Sequence, residues 1–218
     1  MNIDFQAQRV KMVDGQLRTT DVTGRALLQA FLDVPRELFV PQAQQALAYL
    51  DADIEIAPGR FLGEASPIAK LIALAGVSSG DTVLNVGAGT GYDAAILSKL
   101  SQSVTALESD PALARQAEDN LRAIGAENVS VETADMACGC AKRGPYDVIV
   151  FSGSVAKVPP ALFDQLKSGG RLAAVEGSEK LGAARLFIKN GGGVSSRFGF
   201  NAALKPLPGF AQEPVFAL

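Results

Sequence analysis

The chain has 218 residues, 48% of them hydrophobic and 20% charged, with a net charge of −3. That length and balance suit one α/β domain with a substantial core, with two small domains as the alternative. No Lys/Arg cluster stands clear of its neighbouring acids, which argues against a duplex-binding surface. Histidine is absent, excluding Ser-His-Asp and Cys-His triads and any His-bearing zinc site; catalysis must run through carboxylates, hydroxyls, backbone groups or a cofactor.

Residues 1–50 read as helices. Val10, Val13 and Leu17 recur at helical spacing, and a second helix starting near Asp21 or Thr23 carries Ala26, Leu27, Ala30, Phe31 and Val34 before Pro35 stops it. Phe39-Val40-Pro41 reads as extended, and Gln42 to Tyr49 as a turn or two of helix. Residues 51–65 look irregular, with a short alternation at Asp53-Ile54-Glu55-Ile56 and a loop from Pro58 to Glu64. Ser66-Pro67 then reads as an N-cap and first helical position, with the helix running to about Gly76.

From Asp81 the pattern becomes strand, helix, strand. Thr82 to Val86 is an apolar, β-branched run suited to a buried parallel strand, and Tyr92 to Leu100 an amphipathic helix. Ser103 to Leu107 is a second strand. Asp110-Pro111 caps a helix to about Ile124, and strands follow at Asn128–Thr133 and Val148–Phe151. A helix from Pro160 to Leu166 ends at Gly169-Gly170, and Arg171 to Val175 is a fifth strand. Ala184–Lys189 and Val194–Phe200 form a hairpin about Gly191-Gly192-Gly193. The expected fold is α/β and Rossmann-like: a doubly wound, mostly parallel sheet with an antiparallel C-terminal hairpin and a helical N-terminal extension. The units are 1–78 (extension and substrate loop), 79–190 (cofactor-binding core) and 191–218 (hairpin and tail).

The loop Gly87-Ala88-Gly89-Thr90-Gly91 lies between the first of these strands and its helix, where glycines let backbone approach a ligand and a helix start offers unpaired N–H groups. Ligands of such sheets bind at the carboxyl ends of the strands. A dinucleotide fingerprint would need a third glycine at position 92, which is Tyr92; the spacing instead suits S-adenosylmethionine. Glu108, closing the second strand, can accept both ribose hydroxyls, as an acid there does for either cofactor. Asp135, after the third, can accept from an adenine amino group. Ser109 and Met136 adjoin these two acids and join the expected cofactor set. The plainer alternative is a tight turn with two solvated acids. Cys138 and Cys140 read as plain thiols, too close for an easy disulfide and too few for a metal site; no metal is expected.

The flanking segments resemble the protein-L-isoaspartate O-methyltransferase family. Met12-Val13-Asp14-Gly15-Gln16-Leu17-Arg18 is similar to its opening helix. Val34-Pro35-Arg36-Glu37-Leu38-Phe39-Val40-Pro41 is the most specific match, and Pro145 to Ile149, Pro159 to Leu162 and Leu166 to Leu172 continue in register. The resemblance implies a methyltransferase that uses S-adenosylmethionine to esterify isoaspartyl carboxylates of damaged proteins. Such a carboxylate is already ionised and needs no general base, which suits a chain without histidine. Phe61 and Leu62 fall at positions that line the family's cofactor pocket, with packing beneath the loop as the alternative.

One loop departs from the family pattern. Gly59 to Ala65 aligns with the family's "GQTISQP" segment. Gly63 stands where the family has the serine that bonds the substrate carboxylate, and Glu64 adds a negative charge beside it. Ser66 is a substitute candidate, though a capping role competes. Asn85 replaces a frequent acid before the glycine loop. The expected acceptor-side residues are therefore Gly63, Glu64 and Ser66, with a changed acceptor or loss of catalysis as the alternatives. Neither a nucleic acid nor a membrane partner is expected. With no run of 18 apolar residues and no signal-like order in Met1-Asn2-Ile3-Asp4-Phe5, the expected location is the cytoplasm.

Overall fold

The computed structural model describes residues 3–178 and 180–210. Helix α1, Phe5–Met12, is capped by Asp4, whose carboxylate accepts from the Ala7 amide at 2.9 Å. It widens into a π turn over Val13–Leu17. That turn changes the rotation per residue, so Val13 and Leu17 are buried while Val10, expected on the same face, is 43% exposed. The chain reverses at Asp21 (φ 66°), and so α2 begins later than expected, at Arg25–Asp33 behind Gly24. Its buried face is Leu27, Leu28, Ala30 and Phe31; Ala26 is exposed. Phe39 closes a short 3-10 turn, Arg36–Phe39, and is not extended as expected; only Val40 and Pro41 are.

The stretch expected to be irregular contains a two-stranded hairpin, β1 (Ile54–Ala57) with β2 (Arg60–Leu62). Helix α3, Ala65–Ala75, follows and ends at left-handed Gly76. Then come β3 (Thr82–Val86), α4 (Tyr92–Ser98), β4 (Ser103–Glu108), α5 (Pro111–Ala123), β5 (Val129–Thr133), β6 (Tyr146–Val155), α6 (Pro160–Asp164), β7 (Leu166–Gly177), β8 (Gly182–Asn190) and β9 (Gly193–Ala202). The Asp110 cap is as expected: its carboxylate accepts from the Ala112 and Leu113 amides. Gly169 and Gly170 do not end α6. They sit in β7, within a bulge between the pairs Tyr146↔Leu166 and Val148↔Arg171, where Gly169 takes φ +79°.

The seven strands of the main sheet run in the order β5-β4-β3-β6-β7-β8-β9. β5 through β7 are parallel; β8 and β9 add antiparallel, as the hairpin pattern implied. The order reverses between β3 and β6, which places the ligand crevice of such a sheet at their carboxyl ends. Side chains alternate between the faces. Val83, Val148 and Val150 join one apolar cluster, with α3, α4 and the N-terminal helices. Leu84, Ile149 and Phe151 join the other. All seven residues of α4 are buried rather than one face of it, because Phe31 and Phe39 pack edge-on against Tyr92 from outside, at 6.1 and 5.5 Å between ring centres.

Candidate active site and cofactor cleft

The glycine loop follows β3 directly. Gly87, Gly89 and Gly91 take φ of +80°, +56° and +96°, a region open to glycine at little cost. The N–H groups expected to point at a ligand are bonded within the fold. Those of Gly87 and Ala88 donate to the Leu107 carbonyl, that of Gly89 to Glu108 Oε2 at 2.8 Å, and that of Gly91 to Ala88. Thr90 Oγ1 donates to the Phe39 carbonyl at 2.6 Å, tying the loop to the N-terminal segment.

Glu108 ends β4 beside the loop, as expected, but its side chain is fully buried. Arg60 of β2 grips it as a fork, Nη1 on Oε1 at 2.5 Å and Nη2 on Oε2 at 2.6 Å. The amides of Ser109 and Asp110 donate to Oε1 as well. Burial by itself would raise this carboxyl. The Arg60 hydrogen bond and charge, helped by the Asp110 and Gly89 amides, hold it below the usual carboxylate range. Asp135 is exposed and accepts from the Ala137 amide at 2.9 Å, capping a 3-10 turn; Met136 beside it is buried. Ser109 is exposed. Asn85 donates to Ser152 Oγ at 2.8 Å, while its buried Oδ1 has no partner among the described residues.

The residues expected on the acceptor side come together beyond β2. Gly63, whose carbonyl accepts from Arg36 Nη2 at 2.7 Å, lies against Asp53, Ile68 and Leu204. The Glu64 amide donates to Asp53 Oδ1 at 3.3 Å. The Glu64 carboxyl is raised by burial and then by the charges of Asp51 and Asp53. Helix α3 starts one residue before Ser66, so Ser66 is not its N-cap; Glu64 holds that position, without a capping bond. Ser66 instead contacts Thr20 Oγ1 at 2.8 Å. Thr20 gives its one proton to the Gln16 carbonyl at 2.7 Å, which makes Ser66 the donor of that pair. Thr20, Asp53, Glu64, Ser66 and Lys70 line a cavity of about 360 Å³. Phe61 is half-buried beneath the Lys205 ammonium, 5.1 Å from its ring centre, and Leu62 is buried.

Arg36, Asp53 and the segment 204–210 escaped the sequence reading, and Arg60, which opens the loop to Glu64 expected to face the substrate, instead holds Glu108. Segment 204–210 crosses the carboxyl end of β6. Its Leu204 carbonyl accepts from Ser154 Oγ at 2.8 Å, and Leu207 packs on Gly87 and Gly153. Residues 211–218, the rest of the tail, lie outside the described residues.

A left-handed glycine loop after the central strand and an acid closing the next suit a nucleoside cofactor, and the family match makes the architecture that of a Rossmann-like, S-adenosylmethionine-dependent methyltransferase. A solved protein-L-isoaspartate O-methyltransferase shares it at a TM-score of 0.79 and 26% identity, over 92% of this chain and 66% of that one. A putative protein-L-isoaspartate O-methyltransferase from Plasmodium falciparum, solved in complex with S-adenosyl-L-homocysteine, shares the fold at a TM-score of 0.76 and 17% identity, over 94% of this chain and 99% of that one. The family model described as protein-L-isoaspartate(D-aspartate) O-methyltransferase matches residues 8–198. The protein-L-isoaspartate O-methyltransferase of Koribacter versatilis is 37% identical over 86% of this chain and 85% of its own length. That of Methanoculleus marisnigri is 32% identical over 87% and 88%. The chain belongs to the protein-L-isoaspartate O-methyltransferase family, as its N-terminal motifs implied.

Proposed function

We propose that this chain transfers a methyl group from S-adenosylmethionine to a side-chain carboxylate of the isoaspartyl type, with Gly63, Glu64 and Ser66 facing the acceptor. One observation carries the reading. Segment 35–41 holds both halves of the site, since Arg36 bonds the acceptor loop at Gly63 while Phe39 receives the hydroxyl of Thr90 in the glycine loop. One element bonded to both loops is what aligning two reactants requires.

The residues fit the cofactor in kind. Glu108 would hold hydroxyl donors, Asp135 an amino group, and the unpartnered Oδ1 of Asn85 offers a further buried acceptor. When bound, the cofactor would supply an electrophilic methyl on a sulfonium. The chain's part is to align, to exclude water and to need no proton transfer, consistent with the absence of histidine. Transfer of labelled methyl to an isoaspartyl peptide, as base-labile ester, is the expected result. Cofactor binding without any such transfer would overturn the acceptor assignment.

A second acceptor class is favoured by one feature. Glu64 stands beside Asp53, with Asp51 adding charge, and its own carboxyl is raised. That cluster opposes an anionic acceptor at Glu64 itself and suits a neutral or cationic one there, while Lys70 and Lys205 set the opposite charge on the same cavity wall. A cytoplasmic location is part of this reading. Cys138 and Cys140 are unbridged thiols, and no helix among the described residues is long and apolar enough to cross a membrane.

A further inference from the structure

The crevice at the carboxyl ends of β3, β4 and β6 is filled by this chain's own side chains, from two separate segments. Arg60 takes both oxygens of Glu108, the atoms that would otherwise meet ribose hydroxyls. Ile56 closes on Gly89, where an added Cβ would stand 2.8 Å from its Cδ1. From the other side comes Leu207. A Cβ on Gly87 would lie 2.6 Å from Leu207 Cδ2, and one on Gly153 would lie 2.9 Å from Leu207 Cγ. Leu207 therefore touches bare backbone both in the loop that follows β3 and in β6, on either side of the switch point.

The fit argues against a tail that merely drapes over the sheet. Gly153 is not among the residues of positive φ, so its missing side chain is not a conformational need. What it provides is room, for Leu207 and for the Lys205 carbonyl at 2.7 Å. The segment is also fastened as a strand would be. The Ser154 amide donates to Lys205 at 3.0 Å, the Leu207 amide donates to Ser154 at 2.9 Å, and Pro206 bridges Ser154 in parallel. Phe210 then packs edge-on against Phe151, at 5.6 Å between ring centres.

We propose that segment 204–210, with Arg60, is an internal ligand of the cofactor cleft: S-adenosylmethionine binds only when Leu207 withdraws and Arg60 releases Glu108. The inference rests on the cofactor reading above. Affinity is then reduced by the fraction of molecules that are open. Access to the cleft is coupled to the acceptor cavity, because the segment's first residues, Leu204 and Lys205, line that cavity.

The test is titration of S-adenosylhomocysteine, which has no methyl to transfer, into the full chain and its Leu207→Gly variant. Binding about tenfold tighter or more in the variant is expected if the open form is a minor state. Hydrogen exchange of the wild type supplies a readout that needs no variant: the amides of Ser154 and Leu207 should lose protection as ligand is added. Equal affinity in both proteins, with those amides still protected at saturation, overturns the internal ligand and leaves the cofactor reading standing. No binding by either protein at high micromolar ligand overturns both.

Discussion

Arg36 Nη2 donates to the Gly63 carbonyl at 2.7 Å, while its Nε donates to the Ala48 carbonyl at 2.7 Å and its guanidinium lies 4.8 Å from the centre of the Tyr92 ring. One side chain, 1% exposed, thus joins the N-terminal segment, the loop at Gly63 and the first helix after the glycine loop. The most family-specific motif of the chain is a brace, and its function is to set distances between loops that themselves carry little regular structure.

Arg36→Met keeps much of the apolar bulk but leaves two carbonyls without their donor. Each such buried group costs on the order of 1–3 kcal/mol, so a loss of about 2–6 kcal/mol is expected. Urea unfolding of the two proteins measures it. A shift under about 1 kcal/mol would show that water or another donor replaces the brace.

Gly63→Ser should fold as the wild type does. The φ of Gly63 is not positive, and an added Cβ meets its nearest neighbour at 3.6 Å, an ordinary contact. The stability change should stay within about 0.5 kcal/mol. The added hydroxyl should raise labelled-methyl transfer to an isoaspartyl peptide. A folded variant with no gain over wild type would mean that Gly63 is not what limits this acceptor.

The parallel sheet was legible because its strands are β-branched apolar runs and its longest well-capped helix opens on Asp110-Pro111, both local signals. The N-terminal helices were legible in kind and wrong in phase, since the π turn at Val13–Leu17 has no mark in apolar spacing. At the site, the glycine loop and Glu108 meet as read. The partners that decide the cleft's state do not show in any window. Arg60 reaches Glu108 across 48 residues, and Leu207 sits between two prolines in a segment with no periodicity. Burial of an arginine and seating of one leucine on two glycines are properties of the assembled sheet ends.

Glu64→Gln tests the acid cluster through pH. The wild-type carboxyl is raised, by burial first and then by Asp51 and Asp53. The fold therefore binds this proton more tightly than the unfolded chain, and the charged form costs stability above the folded value. That cost fades as pH falls through the interval down to the unfolded value. The variant should match or exceed wild-type stability at neutral pH and lose the advantage in acid; thermal melts across that range measure it. A variant less stable at neutral pH would mean that the Glu64 charge is compensated.

Glu108 runs the opposite way. Its folded carboxyl lies below the usual range: burial opposes this, and Arg60 with the Asp110 and Gly89 amides prevails. The unfolded chain then takes up the proton first. Stability from the Arg60 contact is fully present above the unfolded value, about 4.3 for glutamate, and is lost as pH falls through the folded one. Glu108→Gln leaves the Arg60 guanidinium buried without its counter-charge, at an expected cost of about 3–5 kcal/mol near neutral pH. The same change should flatten the acid limb, because the group whose protonation breaks the contact is gone. Urea midpoints measured from neutral pH down to about 3, below the unfolded glutamate value, give both numbers for each protein. Retention of the wild-type slope by the variant would place the acid-sensitive group elsewhere, with Glu132, held below its usual range by Lys142 and Arg143, as the next candidate.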